Sequence, residues 1–196
     1  LQFAEKPEVW IRAKLTKPHQ EIWEELRGNF VFPLTTDAKH EYQSISKTKT
    51  FTPPSTDRDF VFSQLSKNIE NACIKARRHG LGTKRIFFFL KTQEFHYNGL
   101  EITLTNQTSS PNEIIKLVNE IFDEVFRPNT PYRATGIVLM DLSMDAGVQP
   151  DLFGSFLDLE KWRRVYATVD ALDSKFGKHT VFLSTTLNAL TRKLKV

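Results

Sequence analysis

The chain has 196 residues, 40% of them hydrophobic and 26% charged, with a formal net charge of +4. That suits one compact domain with attached segments rather than two large domains. No apolar run approaches the roughly 20 residues of a membrane-spanning helix, and the single cysteine, Cys73, excludes an intrachain disulfide and a multi-cysteine zinc site.

Residue 1 is Leu rather than Met, and the first thirty residues are rich in Trp and charge without the apolar centre of a signal peptide, so an internal boundary of a longer chain is expected there. Residues 8–26 read as one or two short helices, with Pro18 near a helix start, Ile22, Trp23 and Leu26 spaced for one buried stripe, and Gly28 as the stop. Residues 29–40, with Pro33, Thr35, Thr36 and Asp37, read as a linker.

The main domain is expected over 41–146. Its first strand, about Tyr42 to Phe51, is rich in Ser, Thr and Lys and halts at Pro53 and Pro54. A helix follows, with Phe62, Leu65, Ile69, Cys73 and Ala76 at three- and four-residue steps and Gly80 as the left-handed stop. Cys73 belongs to that apolar stripe, which argues against a catalytic thiol. A strand from about Lys84 to Thr92 and another from Glu101 to Asn106 flank Asn98 and Gly99, a hairpin signal. Ser110, Pro111 and Glu113 have the spacing of a capping box before a helix carrying Ile114, Leu117, Val118, Ile121, Phe122 and Val125. The last strand runs from about Tyr132 to Leu142.

Strand, helix, strand, strand, helix, strand is the α+β order of ferredoxin-like split β-α-β domains, with both helices on one sheet face and the other face open. On the second strand Arg85, Phe87, Phe89 and Lys91 share a parity, and on the third Thr103 and Thr105 do. Cations and hydroxyls suit phosphate oxygens. The first strand offers Ser44, Ser46, Lys47 and Lys49, but Ser and Lys fall on opposite parities, so either a bulge intervenes or only one pair faces a ligand. From Lys75 to Lys91 the chain carries Lys75, Arg77, Arg78, Lys84, Arg85 and Lys91 without an acid, a stretch able to face a polyanion or to complement a helix C-terminus. Beyond residue 146, a linker at 147–156 precedes a segment at 157–196 with a helix from about Leu159 to Phe176, striped by Trp162, Val165, Tyr166, Val169 and Leu172, and then a strand from Thr180 to Leu183.

Several pieces in this order resemble the C-terminal part of Y-family translesion DNA polymerases, closest to the branch of the bacterial SOS mutagenesis subunit. LTKPHQEIWEELRG resembles the end of the thumb, YQSISKTKTF the first little finger strand, FFLKTQEF its second strand and YRATGIVLMDLS its last. The resemblance implies thumb helices over 1–28, a little finger over 41–146 that grips primer-template duplex by its backbone, and a parent nucleotidyltransferase using Mg. By this resemblance Ser44, Ser46 and Lys47 match the strand segment that meets backbone phosphates and Arg133 matches a basic position on the last strand, whereas Ala134 and Val138 stand where further basic residues are common. Gln149, Asp151, Leu152 and Phe153, in QPDLF, resemble the motif that docks on the bacterial sliding clamp: Leu and Phe would fill an apolar pocket and Gln would add a polar contact. A cytoplasmic, nucleoid-associated protein with accessory SOS partners is implied.

No clustered carboxylates of the kind that hold two catalytic cations occur here, the five histidines are scattered, and the implied catalytic acids lie before Leu1. The segment itself is therefore expected to bind DNA and need no cofactor. Phe87 and Phe89 keep open an RNA recognition motif, which has the same element order, and a protein-interaction domain is the third reading.

Overall fold

A computed structural model describes residues 2–34, 36, 42–145 and 155–191, the side chains of 155–160 excepted. The chain forms two compact units, Leu1–His40 and Glu41–Val196.

In the first unit α1 (Glu8–Lys14) and α2 (Lys17–Leu26) are separate helices, the second with Pro18 in its first turn. Ile11 and Trp23 are buried, but Ile22 and Leu26 are 48% and 59% exposed. The expected three-residue stripe thus narrows to Trp23, because a partner as short as α1 covers little of the second helix.

The second unit runs β1 (Ile45–Ser55), α3 (Arg58–Arg78), β2 (Leu81–Thr92), β3 (Tyr97–Thr108), α4 (Pro111–Val125), β4 (Tyr132–Met144), α5 (Ser155–Phe176) and α6 (Leu187–Thr191). The four strands form one antiparallel sheet in the order β1-β4-β2-β3. Each strand-helix-strand unit is therefore split: β4 lies between β1 and β2, and β2 between β3 and β4. The two central strands carry the most apolar inner faces, with Ile86, Phe88, Leu90, Ile137 and Leu139 fully buried. Against them pack Phe60, Leu65, Ile69 and Cys73 of α3 and Ile114, Val118 and Phe122 of α4, so both helices cover one face. Cys73 is sealed in this core, and burial pushes its thiol up to about 12, which removes the thiolate a nucleophile needs.

Local chemistry explains where the elements begin. The Asp57 carboxylate accepts the amides of Asp59 and Phe60 at 3.1 Å each, capping α3. At α4 the first-turn proline is in place, but Ser110 makes no side-chain cap bond and the expected capping box does not form; the Ser110 amide instead donates to the Thr108 hydroxyl at 3.0 Å. β1 continues through Pro53 and Pro54 to Ser55, past the expected stop. It is an edge strand, and its register shift between Thr50 and Ser55 absorbs residues that cannot donate to a ladder.

The hairpin between β2 and β3 differs from the sequence expectation. Asn98 pairs with Leu90 and Gly99 with Phe89 inside the ladder, and the turn is made by residues 93–96, with Phe95 in the left-handed region at φ 70°. Gly99 serves a close approach rather than a turn: a Cβ there would lie 2.6 Å from the Phe88 carbonyl and 2.8 Å from the Phe87 ring.

The expected strand at Thr180 to Leu183 is absent. The Asp173 carboxylate takes the amides of His179 and Thr180 at 3.2 and 3.1 Å, and Glu70 of α3 takes the Leu183 amide at 2.7 Å, which commits these groups to side chains instead of a ladder. The expected α5 stripe packs inward at Tyr166, which is buried, and in part at Trp162, Val169 and Leu172, whereas Val165 stays 39% exposed. Tyr166 donates to Asn112 at 3.0 Å, Arg77 forks onto Asp170 through two 2.7 Å contacts, and Trp162, Val165 and Val169 help line a cavity of about 140 Å³ with Ile74, Pro111 and Phe182.

Candidate nucleic-acid interface

The uncovered sheet face is set by the registers. Ser46, Thr48 and Thr50 stand opposite Val138, Gly136 and Ala134, which in turn neighbour Phe87, Phe89 and Lys91. Arg85 and Phe87 stand opposite Thr103 and Glu101, and Lys91 opposite Tyr97. The face therefore presents an edge row of hydroxyls on β1, a central aromatic band and a second hydroxyl edge at Thr103 and Thr105, both exposed.

Both parities of β1 can now be placed. Ile45 and Phe51 are buried in the core, so Lys47 and Lys49, which share their parity, belong to the helix side of the edge. Among the first-strand candidates, Ser46 lies on the open face and Ser44 is exposed just before the strand, while Lys47 and Lys49 do not join them. The bulge that might have brought Ser and Lys to one face lies beyond Thr50.

Arg85 reaches the open face but is already engaged. Its guanidinium lies 2.9 Å from Asp141 and 3.1 Å from Glu101, and hydrogen bonds to these two acids raise its pKa further above the usual range. Phosphate binding there would have to displace both carboxylates. Lys91 and Arg133 differ. The Lys91 ammonium lies 4.8 Å from the Phe95 ring centre and 4.6 Å from that of Tyr97, and the Arg133 guanidinium 4.4 Å from that of Phe95. Among the described residues neither forms an ion pair, so cation-aromatic contacts position both charges without neutralising them.

The aromatic band is built on glycine. Phe87 and Phe89 stack with centroids 6.0 Å apart, and Phe89 meets Tyr97 at 5.3 Å. A Cβ on Gly136 would lie 2.3 Å from the Phe89 ring, which therefore occupies the space above that residue. Bulk on central β4 is exchanged for a ring lying across it.

Sequence reasoning passed over Thr48, Thr50, Phe95 and Tyr97. The two threonines share the parity of Ser46 and could have been found once Ile45 was assigned to the core. Phe95 and Tyr97 carried no such signal, because the hairpin was expected around Asn98 and Gly99. Gln149, Asp151, Leu152 and Phe153 lie outside the described residues. Among the described residues no three His, Cys, Asp or Glu side chains are grouped to hold a metal ion.

Residues 42–152 match the impB/mucB/samB family C-terminal domain. The chain is 26% identical over 118 residues to DNA polymerase IV of Pelotomaculum thermopropionicum, covering 60% of this chain and 29% of that protein. It is 23% identical over 190 residues to Protein ImpB of Salmonella typhimurium, covering 94% of this chain and 44% of that protein. Among solved structures, an insertion ternary complex of Dbh DNA polymerase is similar over 74% of this chain and 41% of its own, at 11% identity and a TM-score of 0.46. The chain thus spans less than half the length of these relatives.

Proposed function

Because this chain belongs to the impB/mucB/samB family and carries its C-terminal domain, the C-terminal part of a Y-family translesion DNA polymerase, we propose that its open sheet face holds primer-template duplex by the phosphate backbone. The observation that carries this reading is the pairing of two unneutralised cations, Lys91 and Arg133, with the hydroxyl rows of Ser46, Thr48, Thr50, Thr103 and Thr105. Such groups reach phosphate oxygens and carry no base code, so binding is sequence-blind. In the full-length protein the domain would tether DNA to a Mg-dependent catalytic centre elsewhere in the chain.

The test is a titration of the chain with a labelled duplex at several salt concentrations. Two cations on phosphates give a slope of log affinity against log salt of about −1.8. Replacing Lys91 and Arg133 together by Gln should flatten that slope and weaken binding; an unchanged slope refutes the reading. The RNA recognition motif is disfavoured by the family membership, and by Phe87 and Phe89 lying on the second strand against glycine.

Gln149, Asp151, Leu152 and Phe153 are proposed to dock on a bacterial sliding clamp, a reading supported by their sequence and by their position after β4. Burying Leu and Phe in a pocket contributes roughly 1.5 to 3 kcal/mol each, so replacing both by Ala should weaken clamp binding about a hundredfold or more. Duplex binding should be unaffected, and wild type that ignores purified clamp refutes the docking claim. SOS-linked expression and a cytoplasmic, nucleoid-associated location with accessory SOS partners belong to the same proposal.

A further inference from the structure

Lys47 and Lys49, absent from the open face, belong to a second array of charge. α3 returns along β1, and positions 67, 71, 75 and 78 fall on one side of that helix by its 3.6-residue period: Lys67, Asn71, Lys75 and Arg78. Two rungs result. Lys67 feels the charge of Lys49, and Lys47 feels those of Lys75, Lys178 and Arg78, Lys178 coming from the connection after α5. Partial burial, and then the neighbouring cations, hold the Lys47 and Lys67 ammonium groups below their usual range. Lys75 also lies 4.5 Å from the Tyr42 ring centre, which fixes its position over the start of β1.

No carboxylate forms an ion pair with any of these six cations among the described residues. Glu70, which offsets part of the charge at Lys67, is 6% exposed and accepts the Leu183 amide at 2.7 Å. From Lys67 to Arg78 the helix side of the strip spans about 16 Å. Six cations concentrated this way repel one another, a cost that a polyanion relieves.

We propose that this strip binds the phosphates of single-stranded nucleic acid continuing from the duplex held on the open face. The proposal rests on the duplex-binding reading for its geometry. β1 is the shared border, with Ser46 and Thr48 turned to one side and Lys47 and Lys49 to the other, so a strand leaving the hydroxyl row meets the cations on rounding the edge. A duplex, stiff over about 150 base pairs, does not bend around one β-strand, whereas a single strand follows a charged groove readily.

The experiment compares a blunt duplex with the same duplex carrying a single-stranded extension at either end, titrated with the full chain as wild type and as Lys75→Glu/Lys178→Glu. The wild type should bind the extended form more tightly, with a salt slope steeper by about 0.7 per added phosphate. Two reversed charges should cost about 25-fold or more on the extended form at 0.1 M salt, with blunt-duplex affinity unchanged. Lys49→Glu/Arg78→Glu, checked by thermal melting, should reproduce the loss if the first variant folds poorly. No gain from the extension in wild type overturns the proposal, as does a gain that survives in both folded variants. A polyglutamate peptide that binds the strip while single-stranded DNA does not also overturns it, assigning the surface to an acidic protein. Failure of the duplex reading is separable: it abolishes blunt-duplex binding, while a free single-stranded oligonucleotide still reports on the strip through the same variants.

Discussion

Replacing Gly136 by Ala tests whether the aromatic band depends on a missing side chain. The added Cβ would lie 2.3 and 2.4 Å from two carbons of the Phe89 ring and 2.9 Å from the Thr48 hydroxyl oxygen. Gly136 sits on a central strand between β1 and β2, so the ring is the part that yields. Once displaced, Phe89 loses its contacts with Phe87 and Tyr97. At about 0.5 to 1.5 kcal/mol per aromatic pair, the loss is about 1 to 3 kcal/mol, within the usual range for overpacking. Urea denaturation reads this directly, and a melting temperature lower by roughly 2 to 10 °C accompanies it. The decisive measurement is the double-mutant cycle with Phe89→Ala. If the ring alone is displaced, Gly136→Ala costs little once the ring is gone, and the coupling energy approaches the full single-mutant effect. Equal cost in both backgrounds would refute the steric account and locate the requirement in the β4 backbone.

Three further outcomes follow from individual contacts. Arg85→Gln should leave duplex affinity nearly unchanged, because Asp141 and Glu101 already occupy the guanidinium, whereas Lys91→Gln should lower it severalfold; equal losses in a binding titration contradict the placement of charge on this face. Asp170→Ala leaves the largely buried Arg77 without its carboxylate and should destabilise the fold by about 3 kcal/mol, while Arg77→Met/Asp170→Leu should recover most of that, as read by urea denaturation. Burial raises the Glu70 pKa in the folded state, so its contribution is fully present below the unfolded value and is lost as pH rises through the folded value. Glu70→Gln should therefore melt above wild type at neutral pH, with the gain shrinking on acidification through the raised folded value and gone by about pH 4.5, the ordinary carboxyl value; a gain independent of pH rules out charge burial as its cause.

Periodicity made the main domain legible. The three- and four-residue steps of α3 and α4 and the alternation along β2 led to the element order, the shared helix face and the burial of Cys73. Where the sequence misled, a nonlocal contact had displaced a local preference. Asn98 and Gly99 have the composition of a tight turn, yet Phe87 and Phe89, two residues apart on β2, lie against the glycine, and the turn moved to residues 93–96. Thr180 to Leu183 has strand composition, yet two carboxylates from α5 and α3 hold its amides. The candidate site divided along the same line. Arg85 was found by parity, but its two acidic partners come from strands that only the fold brings together. Lys47 and Lys49 were found by type, and their side of the sheet waited on the burial of Ile45 and Phe51.

The position of β1 at the rim also bears on self-assembly. An outermost strand exposes unused amides and carbonyls, a template onto which a strand from another molecule can add. This rim carries Lys47 and Lys49, whose charge would be duplicated in any stacked copy, and then Pro53 and Pro54, which cannot donate to a fifth strand. The same lysines that make the border attractive to polyanions thus make it a poor seed for aggregation, and concentrating many copies along one DNA molecule should leave them as separate folded domains.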